Sequence, residues 1–191
     1  LRKIDRIRKE QMKKMILPVI CLMLVFNTVC VCSRAVAGPS GYGVSAGYGQ
    51  SCDNIDIYRL GVQKKFAAQW FDTNAGVLSG YFELSYNLWE KSGEKTHGAA
   101  LSPVFVYYFN TGFGKKITPY VEGGIGAAYI DDYKIAGRNL STSLQFEDRI
   151  SLGVIINHID IKLGYMHYSN ASIKEPNDGI DIWIGTMTWH F

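Results

Sequence analysis

The sequence predicts an all-β fold: an eight-stranded antiparallel transmembrane β-barrel that follows a cleaved signal peptide. Three observations predict it. A secretion leader opens the chain, segments of alternating polarity recur at strand length after it, and no apolar run at helical spacing is long enough to build a helical core. With 47% hydrophobic, 13% aromatic and 19% charged positions, the composition excludes disorder, which needs low hydrophobicity and high net charge. Four Cys in 191 residues are too sparse for a disulfide scaffold.

The leader comes first in the chain. From Met12 it reads MKKMILPVICLMLVFNTVCVCSRAVA, with Lys13 and Lys14 as a basic start, Met15 to Cys32 as an apolar stretch, and Ala35-Val36-Ala37 as a small-x-small cleavage site. A membrane anchor is the competing reading, since the stretch could almost span a bilayer. Pro18 and Asn27 interrupt it, however, and the cleavage site follows directly. Val29 and Val31 precede Cys30 and Cys32 where a lipoprotein signal needs small residues. Leu1 to Gln11 is polar and compatible with an over-extended gene start. The expected organisation is therefore a signal peptide over 1–37 and a barrel over 38–191.

Removing that leader reverses the charge. Eight of the 20 Lys and Arg leave with only two of the 17 Asp and Glu, so a formal +3 becomes −3. The electrostatic footprint of a nucleic-acid binder goes with them, and no nucleic-acid partner is expected. Cys21, Cys30 and Cys32 also leave, so Cys52 is alone and neither an intrachain disulfide nor a Cys-based metal site can form.

Strands are expected near 41–50, 55–66, 78–89, 99–109, 118–130, 144–156, 159–169 and 181–191. In Tyr81–Leu88, Phe82, Leu84, Tyr86 and Leu88 alternate with Tyr81, Glu83, Ser85 and Asn87. In Tyr120–Tyr129, Val121, Gly123, Ile125, Ala127 and Tyr129 share one face and Glu122 lies on the other. In Leu144–Ile156 the apolar stripe Leu144, Phe146, Ile150, Leu152, Val154 and Ile156 is broken only by Asp148, opposite Gln145, Glu147, Arg149, Ser151 and Gly153. Turn signals separate the segments at Ser92-Gly93, Asn110-Thr111-Gly112, Gly137-Arg138-Asn139 and Pro176-Asn177-Asp178-Gly179.

Two closed architectures accommodate this pattern. A soluble sandwich or lipocalin-like barrel buries its apolar face, whereas a membrane barrel turns that face to lipid and keeps polar residues inside. Strands of about 9–13 residues suit a tilted bilayer crossing. Glu83, Glu122, Glu147 and Arg149 suit a narrow interior in which acids and bases pair. The leader, the aromatic load and the terminal Trp189-His190-Phe191, which resembles the assembly signal of bacterial outer-membrane barrels, favour the membrane. An even strand number puts both termini on the periplasmic side, with a short turn at Asn157-His158 and a longer outer loop from Asn170 to Ile180.

The chemistry is expected on the last two strands. Ile159, Ile161, Leu163, Tyr165, His167 and Ser169 share the lipid face of the seventh, so His167 and Ser169 face outward at the depth of the outer leaflet. Polar groups facing lipid are costly, although less so near the interface. Spacing i, i+2 separates their Cα atoms by about 7 Å, within which an imidazole can reach a hydroxyl. A neutral His beside a Ser is the minimum for an activated oxygen nucleophile attacking a carbonyl. On the eighth strand the outward stripe Trp183, Gly185, Met187, Trp189 and Phe191 begins with Asp181, the carboxylate suited to hold the imidazole tautomer. An interfacial His and Ser that merely meet the headgroups is the competing reading of this weak pattern.

His167-Tyr168-Ser169-Asn170-Ala171 followed by Lys174-Glu175-Pro176-Asn177-Asp178-Gly179-Ile180-Asp181 resembles the C-terminal signature of the PagL family of outer-membrane lipid A 3-O-deacylases. The specific part covers about fifteen residues. It implies an eight-stranded barrel in the bacterial outer membrane, its site facing the outer leaflet. There it hydrolyses the ester-linked 3-hydroxyacyl chain at position 3 of lipid A, without a cofactor. Carried over, Ser169 is the nucleophile and His167 the base. The family's acid is a Glu, where this chain has Asp181, one methylene shorter; Glu175 and Asp178 are the substitutes. Asn177 matches an oxyanion-hole residue, Ser172 stands where the family has a contributing Gly, and Asn170 matches a supporting position. The implied partners are lipopolysaccharide, as lipid A substrate, and outer-membrane lipid, with a homodimer left open.

The remaining candidates are weaker. Tyr165, Trp183 and Trp189 suit either an acyl groove or an ordinary aromatic belt. His97 is expected in a solvated loop, His158 in a periplasmic turn and His190 inside the barrel. No His and acid set has metal spacing, and Gly123-Gly124-Ile125-Gly126 lacks the helix of a phosphate loop. Cys52 reads as a spectator. A non-catalytic barrel with an adhesive or structural role is the alternative from another class, and an acyltransferase barrel is a third.

Overall fold

The computed structural model describes residues 41–111 and 117–191; the expected signal peptide, 1–37, and Gly112 of one expected turn lie outside the described residues. The strands are β1 (Tyr42–Ser51), β2 (Asp56–Lys65), β3 (Trp70–Thr73), β4 (Gly76–Lys91), β5 (Glu94–Phe109), β6 (Ile117–Ile130), β7 (Lys134–Ile135), β8 (Arg138–Asn139), β9 (Leu144–Ile156), β10 (Ile159–Ser169) and β11 (Ile180–His190). Eight of them pair antiparallel in the order β1-β2-β4-β5-β6-β9-β10-β11, and β1 pairs in turn with β11. The sheet closes on itself and so leaves no open edge among these strands.

All eight expected strands are present. β4 and β5 run further than the alternation suggests, with Lys91 still paired to Glu94. Past the bilayer both faces of a hairpin are wet, so the apolar period fades while the backbone ladder continues. The turn between them, Ser92-Gly93, has φ of 52° and 88°, positive at both central residues as a two-residue hairpin of right-handed twist requires. Two small additions were not expected. β3 folds back on the start of β4, and β7 and β8 form a hairpin beside the barrel mouth.

The side-chain faces settle which closed architecture this is. Leu60, Ile125, Leu152, Leu163 and Met187 lie outward and are 59–67% exposed, while Arg59, Glu83, Glu122 and Glu147 lie inward at 4% or less. A water-soluble barrel would reverse that assignment, so this is a transmembrane β-barrel. The charges inside are paired. Arg59 contacts Glu83 at 2.6 Å and Glu147 at 2.8 Å, and Arg149 contacts the same two acids at 2.9 and 2.5 Å. Gln63 and Ser102 donate to Glu83 and Glu147. Further along the axis Lys162 bridges Glu122 and Tyr81, and Tyr120 donates to Asp160, which also meets His190. His190 thus points inside, as expected.

The Arg59–Glu147 group reaches β10 near that strand's outer end. Tyr168, between His167 and Ser169, turns inward, donates to Glu147 and packs edge-on against Trp89 with ring centroids 4.8 Å apart. Arg59 also reaches its hydroxyl at 3.2 Å. The rotation and depth of this part of β10 are therefore set from inside the barrel.

Candidate active site

With Tyr168 fixed inward, the two-residue period forces His167 and Ser169 onto the outer face. The antiparallel register sets His167 level with Asp181 of β11 on one side and Asp148 of β9 on the other. His167 Nδ1 lies 2.6 Å from Asp181 Oδ1, so the acid one methylene shorter than the family's reaches the imidazole. A carboxylate can only accept, so Nδ1 carries the proton, and in the neutral imidazole the lone pair is then on Nε2. Ser169 follows two residues along the same face. His167, Asp181 and Ser169 are all half-buried, open on the lipid side.

The β10–β11 loop, residues 170–179, folds back over this group. Asn170 is buried and ties the loop down. Its Nδ2 donates to Leu140 O at 2.7 Å and Lys174 O at 2.8 Å, and its backbone N–H donates to Asn177 Oδ1 at 3.1 Å. That last bond occupies the Asn177 oxygen and leaves Nδ2 as a free donor among the described residues. Ala171 and Ser172 have φ of 52° and 57°, so Ser172 holds the left-handed conformation that a Gly would enter without strain. Ser172 is exposed, with no side-chain bond to the other site residues among the described residues.

The alternative acids separate clearly. Asp178 Oδ2 accepts from the Asn139 backbone at 2.7 Å, so it serves the loop; Glu175 is exposed on the loop's surface. Of the aromatic candidates, Tyr165 donates to Asp181 Oδ1 at 2.7 Å and packs edge-on against Trp183, centroids 5.4 Å apart. Trp189 stacks on His158 at the opposite end of the strands, away from His167. His97 lies on β5 rather than in a solvated loop, its Nδ1 held 2.6 Å from the Tyr86 hydroxyl, because β5 begins earlier than its polar sequence suggests. Among the described residues no group of three His, Cys, Asp or Glu is placed to hold a metal ion.

Two supports were not singled out from sequence. Gly179 has φ of 59°, and a Cβ there would stand 2.9 Å from His167 Cε1, so only Gly both bends the chain and clears the ring. The β7–β8 hairpin supplies the other. Arg138 donates to the Asp178 and Gly179 carbonyls at 2.8 and 3.3 Å and pairs with Asp53 at 2.6 Å. Hydrogen bonding to Asp53 holds the Arg138 guanidinium above its ordinary range. The PNDG signature carried a local sign for Gly179; nothing local pointed to Arg138.

A closed transmembrane barrel with a serine and a His–carboxylate pair on its lipid side has the layout of a membrane-embedded hydrolase. The chain belongs to the PagL family: the family profile described as "Lipid A 3-O-deacylase (PagL)" matches residues 56–190. It is 38% identical over 149 residues to the lipid A deacylase PagL of Pseudomonas aeruginosa, spanning 76% of this chain and 84% of that one. It is 33% identical over 172 residues to the lipid A deacylase PagL of Bordetella bronchiseptica, spanning 87% and 93%. The crystal structure of the outer membrane enzyme PagL superimposes with a TM-score of 0.73 at 36% identity, covering 78% of this chain and 99% of that one.

Proposed function

We propose that this protein hydrolyses the ester-linked 3-hydroxyacyl chain at position 3 of lipid A, from a site facing the outer leaflet of the bacterial outer membrane, after loss of residues 1–37 as a signal peptide. The observation that carries the reading is the 2.6 Å contact of His167 Nδ1 with Asp181 Oδ1 on the lipid-facing side, with Ser169 two residues along the same strand face. The substrate's ester lies at the boundary of headgroup and acyl layer, so an outward site at one end of the strands meets it without extracting the lipid.

In this mechanism Ser169 Oγ attacks the ester carbonyl while His167 Nε2 takes its proton, a step typically worth about 10²–10⁴-fold. Asp181 holds the Nδ1–H tautomer and stabilises the imidazolium that forms. The free Asn177 Nδ2 and the backbone N–H of Ser172 are the proposed donors to the oxyanion, each worth about 3–4 kcal/mol in comparable hydrolases. Collapse expels the sugar oxygen, which takes the proton back from His167. Water, deprotonated by the same nitrogen, then releases the 3-hydroxy fatty acid and restores Ser169. Every group comes from one chain, so no homodimer is required.

Mass spectrometry of lipid A from cells expressing the protein tests this directly. The parent removes one 3-hydroxyacyl mass and Ser169→Ala removes none. An unchanged spectrum from a folded, surface-located barrel would refute the deacylase reading, and a gain of mass would indicate acyl transfer instead.

A further inference from the structure

Tyr165 stands on the outward face of β10 two residues before His167, where an aromatic is ordinarily a belt residue. Its hydroxyl is engaged differently. The phenol donates to Asp181 Oδ1 at 2.7 Å, and His167 Nδ1 meets the same oxygen at 2.6 Å. Two donors from one strand thus converge on a single carboxylate oxygen of the next. The ring that delivers the phenol is itself held, edge-on, by Trp183, its cross-strand partner.

Resting on the site reading above, we infer that Tyr165 is a positioning residue of this enzyme, acting through Asp181. Asp181 carries its carboxylate on a single methylene, and its backbone is level with that of His167. A carboxylate on so short a stem can rotate its oxygens away from the imidazole, and a rotated acid no longer selects the tautomer with its lone pair on Nε2. The phenol removes that freedom. It holds Oδ1 as a second donor beside the imidazole N–H. Because the phenol hydroxyl bonds Asp181 and makes no hydrogen bond to Ser169 among the described residues, its contribution falls on turnover and not on substrate affinity.

A double-mutant cycle on the full, folded barrel reads this out, with initial rates of lipid A deacylation in detergent micelles giving kcat and KM. Tyr165→Phe keeps the ring and its packing on Trp183 and deletes only the hydroxyl. The expected result is a fall in kcat of about tenfold with KM within about twofold of the parent, consistent with loss of one hydrogen bond to a charged group. In the Asp181→Asn background the same substitution is expected to add less than about twofold. A silent Tyr165→Phe, a change confined to KM, or a full additional loss of about tenfold in the Asp181→Asn background would each overturn the inference. Ser169→Ala separates this from failure of the site: if it abolishes turnover while Asp181→Asn is silent, the acid and Tyr165 fall together and the nucleophile stands. If Ser169→Ala retains activity, the site reading itself fails.

Discussion

Residue 168 of β10 points into the barrel and residues 167 and 169 point out, so a few ångströms of backbone serve two polar regions. Inside, Arg59, Arg149, Glu83, Glu147 and Tyr168 bond to one another from four strands, and among the described residues Arg149 Nε is the one atom of these side chains left buried without a partner. Outside, His167 and Asp181 are half-buried, and Asn177 keeps an amide nitrogen unused among the described residues. A buried charge left unpaired is very costly, so the charges of this set pair with one another and hold it rigid. A catalytic face needs unspent donors and a free lone pair, and the bilayer boundary is where such groups cost least. The rigid region serves the reactive one: Tyr168 sets the orientation that turns its two neighbours toward lipid.

Substitutions that hit one region and spare the other test that division. The largest effect is expected outside. Ser169→Ala or His167→Ala should lower kcat by at least about 10³-fold, in line with loss of a triad member, while the temperature at which the barrel loses its folded gel mobility stays unchanged. A parallel loss of thermal stability would mean that these residues belong to the structural set.

The converse substitution reaches the same strand from inside, through Tyr168. Glu147→Ala leaves Arg59 and Arg149 with Glu83 as their one remaining acid and takes the acceptor from the Tyr168 hydroxyl. It should destabilise the barrel by about 3–5 kcal/mol, as breaking a buried ion pair does, read as a lower unfolding midpoint in denaturant. Activity per folded molecule should fall far less than in Ser169→Ala. If the two fell equally, the interior would be part of the chemistry.

Gly179 sits between the regions in magnitude. A methyl at this position meets His167 Cε1 at 2.9 Å and imposes a side chain on φ of 59°. The ring must shift by a fraction of an ångström or the loop must move, and misplacement on the scale of about 1 Å costs about 10²-fold in turnover. Gly179→Ala should therefore lower kcat by about that factor with little change in unfolding midpoint, since the strand ladders are untouched.

How much of this was legible in the sequence follows from how local each cause is. Alternation is a two-residue property, so the barrel, its inward acids and the outward oddity of His167, Ser169 and Asp181 could all be read. Asp148 was visible in the same way, as a break in a stripe, but its position beside His167 depends on the β9–β10 register. Tyr165 was ambiguous because its ring suits a belt and its hydroxyl's partner is set by the β10–β11 register. The early start of β5, and with it the environment of His97, was hidden because apolar alternation ends at the membrane boundary while backbone pairing does not.

Arg138 is the least local case and carries the smallest predicted effect. It reaches from the β7–β8 hairpin to two carbonyls of the β10–β11 loop and to Asp53 beyond β1, joining three loops that are distant in sequence. The pair with Asp53 is about one-third exposed, where screening by water and salt limits an ion pair to about 0–1 kcal/mol. Arg138→Ala should therefore leave the unfolding midpoint nearly unmoved. Its effect should appear in turnover, because two of its bonds end on residues 178 and 179, directly at the glycine that clears His167. A few-fold drop in kcat is expected, whereas Asp53→Ala, which spares both carbonyl bonds, should cost less. Equal losses from both would locate the clasp's value in the ion pair rather than in the hold on the active-site loop.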